Sequence, residues 1–239
     1  MPIARTGPAW LVLPTYNEAD NLEPLVEAAL ANLPAEARVL VVDDNSPDGT
    51  GKIADRLAAA EQVEVLHRPR KDGLGPAYLA GFRRALEGGA GYVLEMDADF
   101  SHDPADLSRL LAAAESADLV IGSRYVAGGR VENWTPARRA ISRGGSIYAR
   151  RALGLSVRDL TGGFKCFRRK VLETVPLGEI GSRGYAFQVE MTYRAAKAGF
   201  KIDEIPICFY ERRAGASKMS GGIVAEAVWK VPLLRWVAR

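Results

Sequence analysis

The sequence YVLEMDADFSHDP, residues 92–104, begins as an apolar run and ends in a polar turn closed by Pro104. A short apolar run bounded by turn residues is typical of a buried strand. Asp97, Asp99 and Asp103 follow at the end of that strand. We expect Asp103 to cap a helix that begins at Pro104, because aspartate followed by proline is a favourable helix start.

Apolar runs and helical segments alternate through the first half of the chain. The predicted strands cover residues 10–13, 38–42, 63–66, 92–96 and 119–121, and the predicted helices cover residues 18–32, 50–60, 75–87 and 104–114. Strands that are almost continuously apolar and alternate with helices indicate a parallel sheet covered on both faces. We therefore predict an α/β fold with a mainly parallel central sheet and helices on both faces.

The pattern is less regular after Gly122. Residues 136–153 and 185–198 are predicted helices, residues 125–136 resemble a loop, and residues 162–167 are interpreted as the end of another loop. A strand predicted at 201–209 contains Pro206, which favours a position at the edge of the sheet. The length of 239 residues suits one catalytic domain with an extension, which we place at residues 1–218 and 219–239.

The composition is that of an ordinary globular protein, with 48% hydrophobic and 26% charged residues and a formal net charge of +3. The cysteines, Cys166 and Cys208, are too few for a disulfide framework and lack the spacing of a metal site. The sequence has no segment like a signal peptide and no apolar run of the roughly 20 residues that cross a bilayer. We therefore expect a protein of the cytoplasm or of the cytoplasmic face of a membrane.

Positive charge is concentrated between residues 122 and 158, where eight arginines face one acid, Glu132, for a local balance of +7. The arginines are Arg124, Arg130, Arg138, Arg139, Arg143, Arg150, Arg151 and Arg158. Such a segment is either a solvated surface or a surface that attracts phosphate, on a substrate or on lipid headgroups.

Polar residues follow the predicted strands at the positions where an open parallel sheet binds its ligands, outside the carboxyl ends of the strands. Asp97 and Asp99 form a D-x-D pair at one such end, and their oxygens suit Mg²⁺ or Mn²⁺. The pair is a weak signal by itself because it is frequent by chance. His102 is left out of the catalytic set, since a lone histidine in a turn is more often a hydrogen-bonding loop residue.

Two basic loops suit an anion. The loop KDGLGPA, residues 71–77, runs into a helix as phosphate-binding loops do, but it matches neither the dinucleotide fingerprint nor the Walker A loop. The loop RRAGASK, residues 212–218, places glycine and serine among cations.

Taken together, these motifs resemble inverting glycosyltransferases of family 2, which have the GT-A fold, and within them the dolichol- or polyprenol-phosphate mannose synthases. The resemblance extends from about residue 10 to residue 218. The stretches that carry it are LPTYNEADNL (13–22), VVDDNSPDGTG (41–51), RKDGLGPAYLAGF (70–82), EMDADFSHDP (95–104), IGSRYVAGG (121–129), DLTGGFKCFRR (159–169), GYAFQVEMTYRA (184–195) and RRAGASK (212–218).

The resemblance implies a metal-dependent enzyme that transfers mannose from GDP-mannose to a polyprenyl monophosphate. The residues implied to bind the nucleotide sugar are Pro14, Tyr16, Glu18, Val42, Asp44, Lys71, Asp97, Ala98 and Asp99. The implied ligands of Mg²⁺ or Mn²⁺ are Asp97, Asp99 and Ser101, although some relatives have glutamine at the position of Ser101. The implied catalytic residues are Asp99, Arg124, Arg212 and Lys218.

The segment 219–239 mixes tryptophans and leucines with Lys230 and Arg235, as interfacial amphipathic segments do. A helix packed on the core is the alternative. The resemblance implies GDP-mannose and a polyprenyl phosphate at a membrane surface as partners, and no nucleic acid. Many relatives carry transmembrane helices that are absent here, so we expect a peripheral enzyme, one with an integral-membrane partner protein, or an excised catalytic domain.

Three other functions stay open. A family 2 transferase could move glucose or another sugar from a UDP-sugar to polyprenyl phosphate. A phosphatase with a nucleophilic aspartate is disfavoured, because such enzymes carry D-x-D on their first strand and here it ends the fourth. A binding module for anionic lipid or nucleic acid explains the arginines but not the polar loops at the strand ends.

Overall fold

The computed structural model describes residues 7–182, 184–211 and 229–236. The strands are β1 (Ala9–Thr15), β2 (Arg38–Asp43), β3 (Val63–His67), β4 (Tyr92–Glu95), β5 (Leu119–Ser123), β6 (Arg130–Val131), β7 (Lys165–Arg168), β8 (Ile202–Pro206) and β9 (Cys208–Phe209). The helices are α1 (Ala19–Asn32), α2 (Thr50–Leu57), α3 (Leu74–Glu87), α4 (Asp106–Ala113), α5 (Pro136–Leu153), α6 (Arg169–Thr174), α7 (Gly184–Lys197) and α8 (residues 229–236).

Within the described residues, the central sheet has seven strands in the order β3-β2-β1-β4-β7-β5-β8. All neighbouring pairs are parallel except those that β7 makes with β4 and β5. The predicted α/β architecture with a mainly parallel sheet is therefore confirmed.

Side chains of each strand alternate between two hydrophobic cores, one on each face of the sheet. On β1, Trp10 and Val12 join the core beneath α3, α5, α6 and α7, whereas Leu11 and Leu13 join the core beneath α1, α2 and α4. Because successive side chains of a strand point to opposite faces, a strand covered on both sides must be apolar throughout. The two cores confirm the prediction that helices cover both faces.

The interpretation of residues 162–167 as the end of a loop was wrong from Lys165 onward. Strand β7 lies in the middle of the sheet, with Cys166 opposite Leu94 on one side and Val120 on the other. Its four residues begin with a lysine and end with an arginine, so no apolar pattern marks it. The interior accepts Lys165 because Glu95, an opposing charge, is its partner across the strands.

The prediction of an edge strand near Pro206 is confirmed, since β8 ends the sheet. The predicted run of residues 201–209 is nevertheless divided at Ile207. Beyond that residue the chain leaves the main sheet, and β9 pairs with β6 in a separate two-stranded sheet.

The helix after the D-x-D pair begins later than predicted, at Asp106 rather than Pro104. The Asp103 carboxylate accepts a hydrogen bond from the N–H of Ala105 at 3.0 Å, and the N–H of Asp106 bonds to the carbonyl of Asp103 at the same distance. Asp103 thus closes a tight turn ahead of α4 and does not cap the helix itself.

The bounds predicted for α5 are confirmed at residues 136–153. The Thr135 hydroxyl accepts a hydrogen bond from the N–H of Arg138 at 3.3 Å, and Pro136 occupies the first turn. Both are favourable helix starts. The helix ends at Gly154, whose φ of 68° lies in the left-handed region that suits glycine.

Helix α8 presents different side chains to the core and to solvent. Val231 and Leu234 are buried in the core shared with α5 and α7, whereas Trp229 is 78% and Trp236 70% exposed. None of the helices in the described ranges is long and apolar enough to cross a membrane. The predicted boundary between residues 218 and 219 lies outside the described residues.

Candidate active site

Polar loops meet at one edge of the sheet because β1, β2 and β4 are adjacent and parallel. Three of these loops contain a non-glycine residue with a left-handed backbone: Asn17 (φ 58°), Asn45 (φ 58°) and Phe100 (φ 59°). Asparagine tolerates this conformation, whereas a bulky residue such as Phe100 is a genuine outlier there. Backbone strain of this kind is concentrated at functional sites.

Asp43 joins the end of β1 to the loop that follows β2. Its carboxylate accepts hydrogen bonds from the Ser46 hydroxyl at 2.6 Å, the Ser46 N–H at 3.2 Å and the Thr15 hydroxyl at 3.2 Å. Nearby, the buried Glu18 accepts a hydrogen bond from Asn21 at 2.9 Å. Glu18, predicted to contact a nucleotide, therefore already accepts a bond from the first turn of α1.

The loop after β3 contributes two cations to this edge. Arg68 forms an ion pair with Asp44, and the Lys71 Nζ lies 3.9 Å from the centre of the Tyr16 ring. Burial raises the pKa of Asp44 despite the opposing charge of Arg68. Arg68 was not among the residues predicted for the site, although it lies in the basic stretch that follows a predicted strand.

Three other residues predicted to bind the nucleotide sugar are placed differently. The side chains of Val42 and Ala98 are buried in the cores on opposite faces of the sheet. Burial of both side chains leaves the backbone as the part of these two residues that could contact a ligand. Pro14, near the end of β1, is half-buried.

The D-x-D pair lies just beyond β4. Asp97 is half-buried, and its Oδ1 accepts a hydrogen bond from the Tyr78 hydroxyl at 3.2 Å. Asp99 is buried, and its Oδ1 accepts the N–H of Ser101 at 3.0 Å. The Ser101 Oγ is also buried and has no hydrogen-bond partner among the described residues.

These oxygens fit a hard divalent cation. In the described part of the chain, no group of three or more His, Cys, Asp or Glu side chains is arranged to hold a metal. Two carboxylates are sufficient for Mg²⁺, which usually keeps several waters and shares the phosphates of a substrate. The orphaned Ser101 hydroxyl adds an oxygen whose burial is unfavourable without a partner.

A buried ion pair lies behind the D-x-D pair and was missed by the sequence analysis. Glu95 and Lys165 face each other across β4 and β7, are fully buried, and have an Nζ–Oε1 distance of 3.4 Å. Lys165 also donates to the carbonyl of Gln188 at 3.1 Å. Burial raises the pKa of Glu95 to about 7 and lowers that of Lys165. The signal in the sequence was a glutamate inside an apolar run.

His102 packs among aromatic rings. Its ring centre lies 4.8 Å from that of Phe164 and 5.0 Å from that of Phe209. Burial lowers its pKa to about 4, so the ring is neutral at pH 7. The Nδ1 atom has no hydrogen-bond partner within the described ranges, so His102 is a packing residue more than a hydrogen-bonding one.

Arg124, predicted to meet phosphate, is buried and paired. Its guanidinium binds the Asp159 carboxylate through two hydrogen bonds of 2.7 Å and the Thr161 hydroxyl at 2.9 Å. The other two predicted cations, Arg212 and Lys218, lie outside the described residues.

The arginine-rich segment is only partly neutralised. Arg130 pairs with Glu132, and Arg138 pairs with Glu211. The exposed side chains of Arg139, Arg143 and Arg151 form no ion pair with any residue that the structure describes. These three arginines lie on α5 and, together with the exposed Arg158, are available to an anionic partner.

Comparison with known proteins identifies the family. The sequence model described as "Glycosyl transferase family 2" matches residues 10–175. The chain belongs to this family. The fold is accordingly the GT-A fold, and the polar edge formed by the ends of β1, β2 and β4 is the candidate active site of a glycosyltransferase.

Two relatives of this family 2 glycosyltransferase match nearly all of it. The undecaprenyl-phosphate mannosyltransferase of Micrococcus luteus is 54% identical over 226 residues, which are 94% of this chain and 92% of that protein. The polyprenol monophosphomannose synthase of Mycolicibacterium smegmatis is 49% identical over 224 residues, which are 92% of this chain and 84% of that protein.

Solved structures share the fold of this glycosyltransferase. Glucosyl-3-phosphoglycerate synthase from Mycobacterium tuberculosis, in complex with Mn²⁺, UDP-glucose and phosphoglyceric acid, superimposes with a TM-score of 0.72. The match covers 96% of this chain and 79% of that one at 17% identity. At this identity the similarity bears on the fold alone.

Proposed function

We propose that this glycosyltransferase transfers mannose from GDP-mannose to a polyprenyl monophosphate with inversion at the anomeric carbon. The observation that carries the proposal is the match, at 54% and 49% identity over more than nine-tenths of the chain, to two proteins named as mannose transferases to undecaprenyl phosphate or polyprenol phosphate. The site described above supplies groups of the right kind for the donor substrate.

The donor side of the site is the edge formed by the loops after β1 to β4. Tyr16 with Lys71, and Asp44 with Arg68, offer an aromatic face and paired charges for the nucleotide. Asp97 and Asp99, with the hydroxyl of Ser101, would hold Mg²⁺ or Mn²⁺. When bound, such a cation offsets the charge of the leaving diphosphate.

The acceptor side needs little from the protein in the way of proton transfer. A phosphate monoester oxygen is anionic at neutral pH and attacks without a general base. This chemistry agrees with His102, whose burial lowers its pKa and keeps the ring neutral at pH 7. The protein instead has to orient the phosphate and balance its charge, and we propose that Arg212 and Lys218 do so.

We propose a positioning role for Arg124. Its two bonds to Asp159 and its bond to Thr161 fix the loop that follows α5 to the end of β5. A guanidinium engaged in this way orders the loop next to the site and does not need a phosphate to balance its charge.

We propose that the enzyme acts as a peripheral protein on the cytoplasmic face of a membrane. The exposed Trp229, Leu233 and Trp236 of α8 are large hydrophobic side chains of the kind that insert at a lipid interface. The exposed arginines of α5 would favour an anionic surface. An integral-membrane partner protein stays a prediction.

The proposal is tested with the purified chain, undecaprenyl phosphate in detergent, Mn²⁺ or Mg²⁺, and either labelled GDP-mannose or labelled UDP-glucose. We expect a labelled lipid from GDP-mannose, none when the metal is chelated, and none when the lipid is an unphosphorylated polyprenol. Transfer from UDP-glucose alone would replace mannose by glucose in the proposal. NMR of the product reports the anomeric configuration, and retention would contradict inversion.

A pair of variants tests the role of the Asp99 carboxylate as a metal ligand. Asp99→Asn preserves the size of the side chain and removes its charge, so we expect a loss of transfer of at least about 100-fold. Asp20→Asn removes an exposed carboxylate on the first turn of α1, to which the proposal gives no role, and should leave the rate unchanged. Undiminished transfer by Asp99→Asn would exclude the proposed metal ligand.

A further inference from the structure

We propose that Tyr78 positions the Asp97 carboxylate for a divalent cation, an inference that rests on the donor site proposed above. Tyr78 lies on α3 and is fully buried. Its hydroxyl donates to Asp97 Oδ1 at 3.2 Å, which links a core helix to the D-x-D pair at the end of β4.

The ring of Tyr78 and its hydroxyl have separate explanations. The ring stacks on Phe187 with a centroid distance of 5.9 Å and an interplanar angle of 2°, and it packs against Phe82 at 5.8 Å. Phenylalanine would satisfy this packing, as Phe82 does against Phe167 in the same core. This packing does not explain why the residue carries a hydroxyl.

A buried hydroxyl destabilises the folded protein unless it forms a hydrogen bond. The partner that the fold gives Tyr78 is Asp97, a half-buried carboxylate at the site edge. A phenol with an ordinary pKa of about 10 is a donor at neutral pH, and an ionised carboxylate only accepts. The bond therefore fixes one oxygen of Asp97 and with it the orientation of the carboxylate.

The charge around Tyr78 explains why a neutral donor is suitable. Glu95, Asp97 and Asp99 all lie close enough to act electrostatically on its hydroxyl. Glu95 is balanced by Lys165. A lysine or arginine in place of Tyr78 would pair with Asp97 and cancel the charge that attracts a cation. The tyrosine hydroxyl orients the carboxylate and leaves its charge in place.

The test is Tyr78→Phe, which keeps the ring and removes the hydroxyl. Mn²⁺ binding is measured by electron paramagnetic resonance, with Mn²⁺ alone and with Mn²⁺ plus GDP. Mutation of a residue that hydrogen-bonds a metal ligand typically lowers metal affinity by about 10- to 100-fold. We therefore expect Mn²⁺ binding to weaken by at least about 10-fold in Tyr78→Phe. Equal affinity in Tyr78→Phe and the unmodified protein would overturn the inference.

Tyr92→Phe is the matched control. Tyr92 is also buried, but it lies at the amino end of β4, five residues before Asp97, or about 16 Å along an extended strand. We expect removal of the Tyr92 hydroxyl to leave Mn²⁺ affinity unchanged. An equal loss of affinity in Tyr92→Phe would mean that any buried tyrosine matters, and the inference would be wrong.

A second variant tests the coupling from the side of the carboxylate. In an Asp97→Ala background, Tyr78→Phe should weaken Mn²⁺ binding no further, because the hydroxyl then has no carboxylate to orient. Additive losses would contradict the inference. Urea unfolding of each variant reports the folded fraction, so that affinity is compared for folded protein only.

The outcome is separable from that of the proposed function. Mn²⁺ binding is measured without sugar or lipid, so the absence of mannose transfer would leave this result standing. Conversely, active mannose transfer combined with unchanged Mn²⁺ affinity in Tyr78→Phe would overturn this inference and leave the proposed function intact.

Discussion

The guanidinium of Arg124 and the carboxylate of Asp159 form a two-pronged ion pair in the protein interior, with Nε–Oδ2 and Nη2–Oδ1 distances of 2.7 Å. The backbone N–H of Arg124 donates to the same carboxylate at 2.9 Å. Burial by itself raises the pKa of Asp159, but the charge and hydrogen bonds of Arg124 outweigh it and hold that pKa below its usual value.

Removing one partner of this pair should strongly destabilise the fold. Asp159→Ala leaves the Arg124 charge buried without its carboxylate, so we expect the free energy of unfolding to fall by about 3–5 kcal/mol in urea denaturation. Glu23→Ala, which breaks the exposed pair with Arg56, should change it by less than about 1 kcal/mol. Similar small losses in both variants would show that the buried pair contributes little.

Ser101→Ala should not destabilise the metal-free protein. The Ser101 Oγ is buried and makes no hydrogen bond with the described residues, so its removal should raise the free energy of unfolding by up to about 1 kcal/mol. Thr192→Val is the comparison, because the hydroxyl that it removes donates to the carbonyl of Gln188 at 3.0 Å. We expect the free energy of unfolding of this variant to fall by about 1 kcal/mol. A marked loss of stability in Ser101→Ala would reveal an internal partner for this hydroxyl.

His102 should make the protein sensitive to acid. Its pKa falls from an ordinary 6.5 to about 4 on folding because the charged ring is disfavoured by burial. The neutral ring therefore stabilises the fold above pH 6.5, and this contribution, about 3 kcal/mol, is lost as the pH falls from 6.5 to about 4.

The measurement is thermal or urea unfolding of the unmodified protein and of His102→Phe across that pH range. The phenylalanine keeps a ring between Phe164 and Phe209 and cannot titrate, so the variant should lose less stability between pH 6.5 and 4. Between pH 7 and 8 the difference between the two proteins should be constant. Parallel curves down to pH 4 would contradict the lowered pKa of His102.

The two faces of α8 should have separable roles. Replacing both Trp229 and Trp236 by alanine should reduce sedimentation with anionic phospholipid vesicles while leaving the free energy of unfolding nearly unchanged, because both side chains are exposed. Val231→Ala should lower the free energy of unfolding by about 1–2 kcal/mol without affecting vesicle binding in the folded protein. Unchanged vesicle binding by the double variant would exclude α8 as the membrane contact.

Local sequence is enough to predict the elements whose residues suit the surroundings in which the fold places them. Strands β1, β2, β4 and β5 are mostly apolar because both faces of the sheet are covered there, so local pattern and tertiary environment point the same way. Helix α5 carries its own start and stop in Thr135, Pro136 and Gly154. The positions of Asp97 and Asp99 followed because parallel strands deliver their carboxyl ends to one edge.

Only the folded structure reveals the buried charges and hydroxyls that are paired with residues distant in the chain. Strand β7 was not predictable because Lys165 is accepted in the interior through Glu95, 70 positions away on another strand, and through Gln188 on α7. The pairs Arg124–Asp159 and Tyr78–Asp97 were not predictable either. A periodic pattern of apolar residues predicts which side chains are buried, but not which of them contact each other. Pairings of buried charges and hydroxyls depend on the packing of distant segments. In this protein they distinguish the residues that position the site from the residues that would contact a substrate.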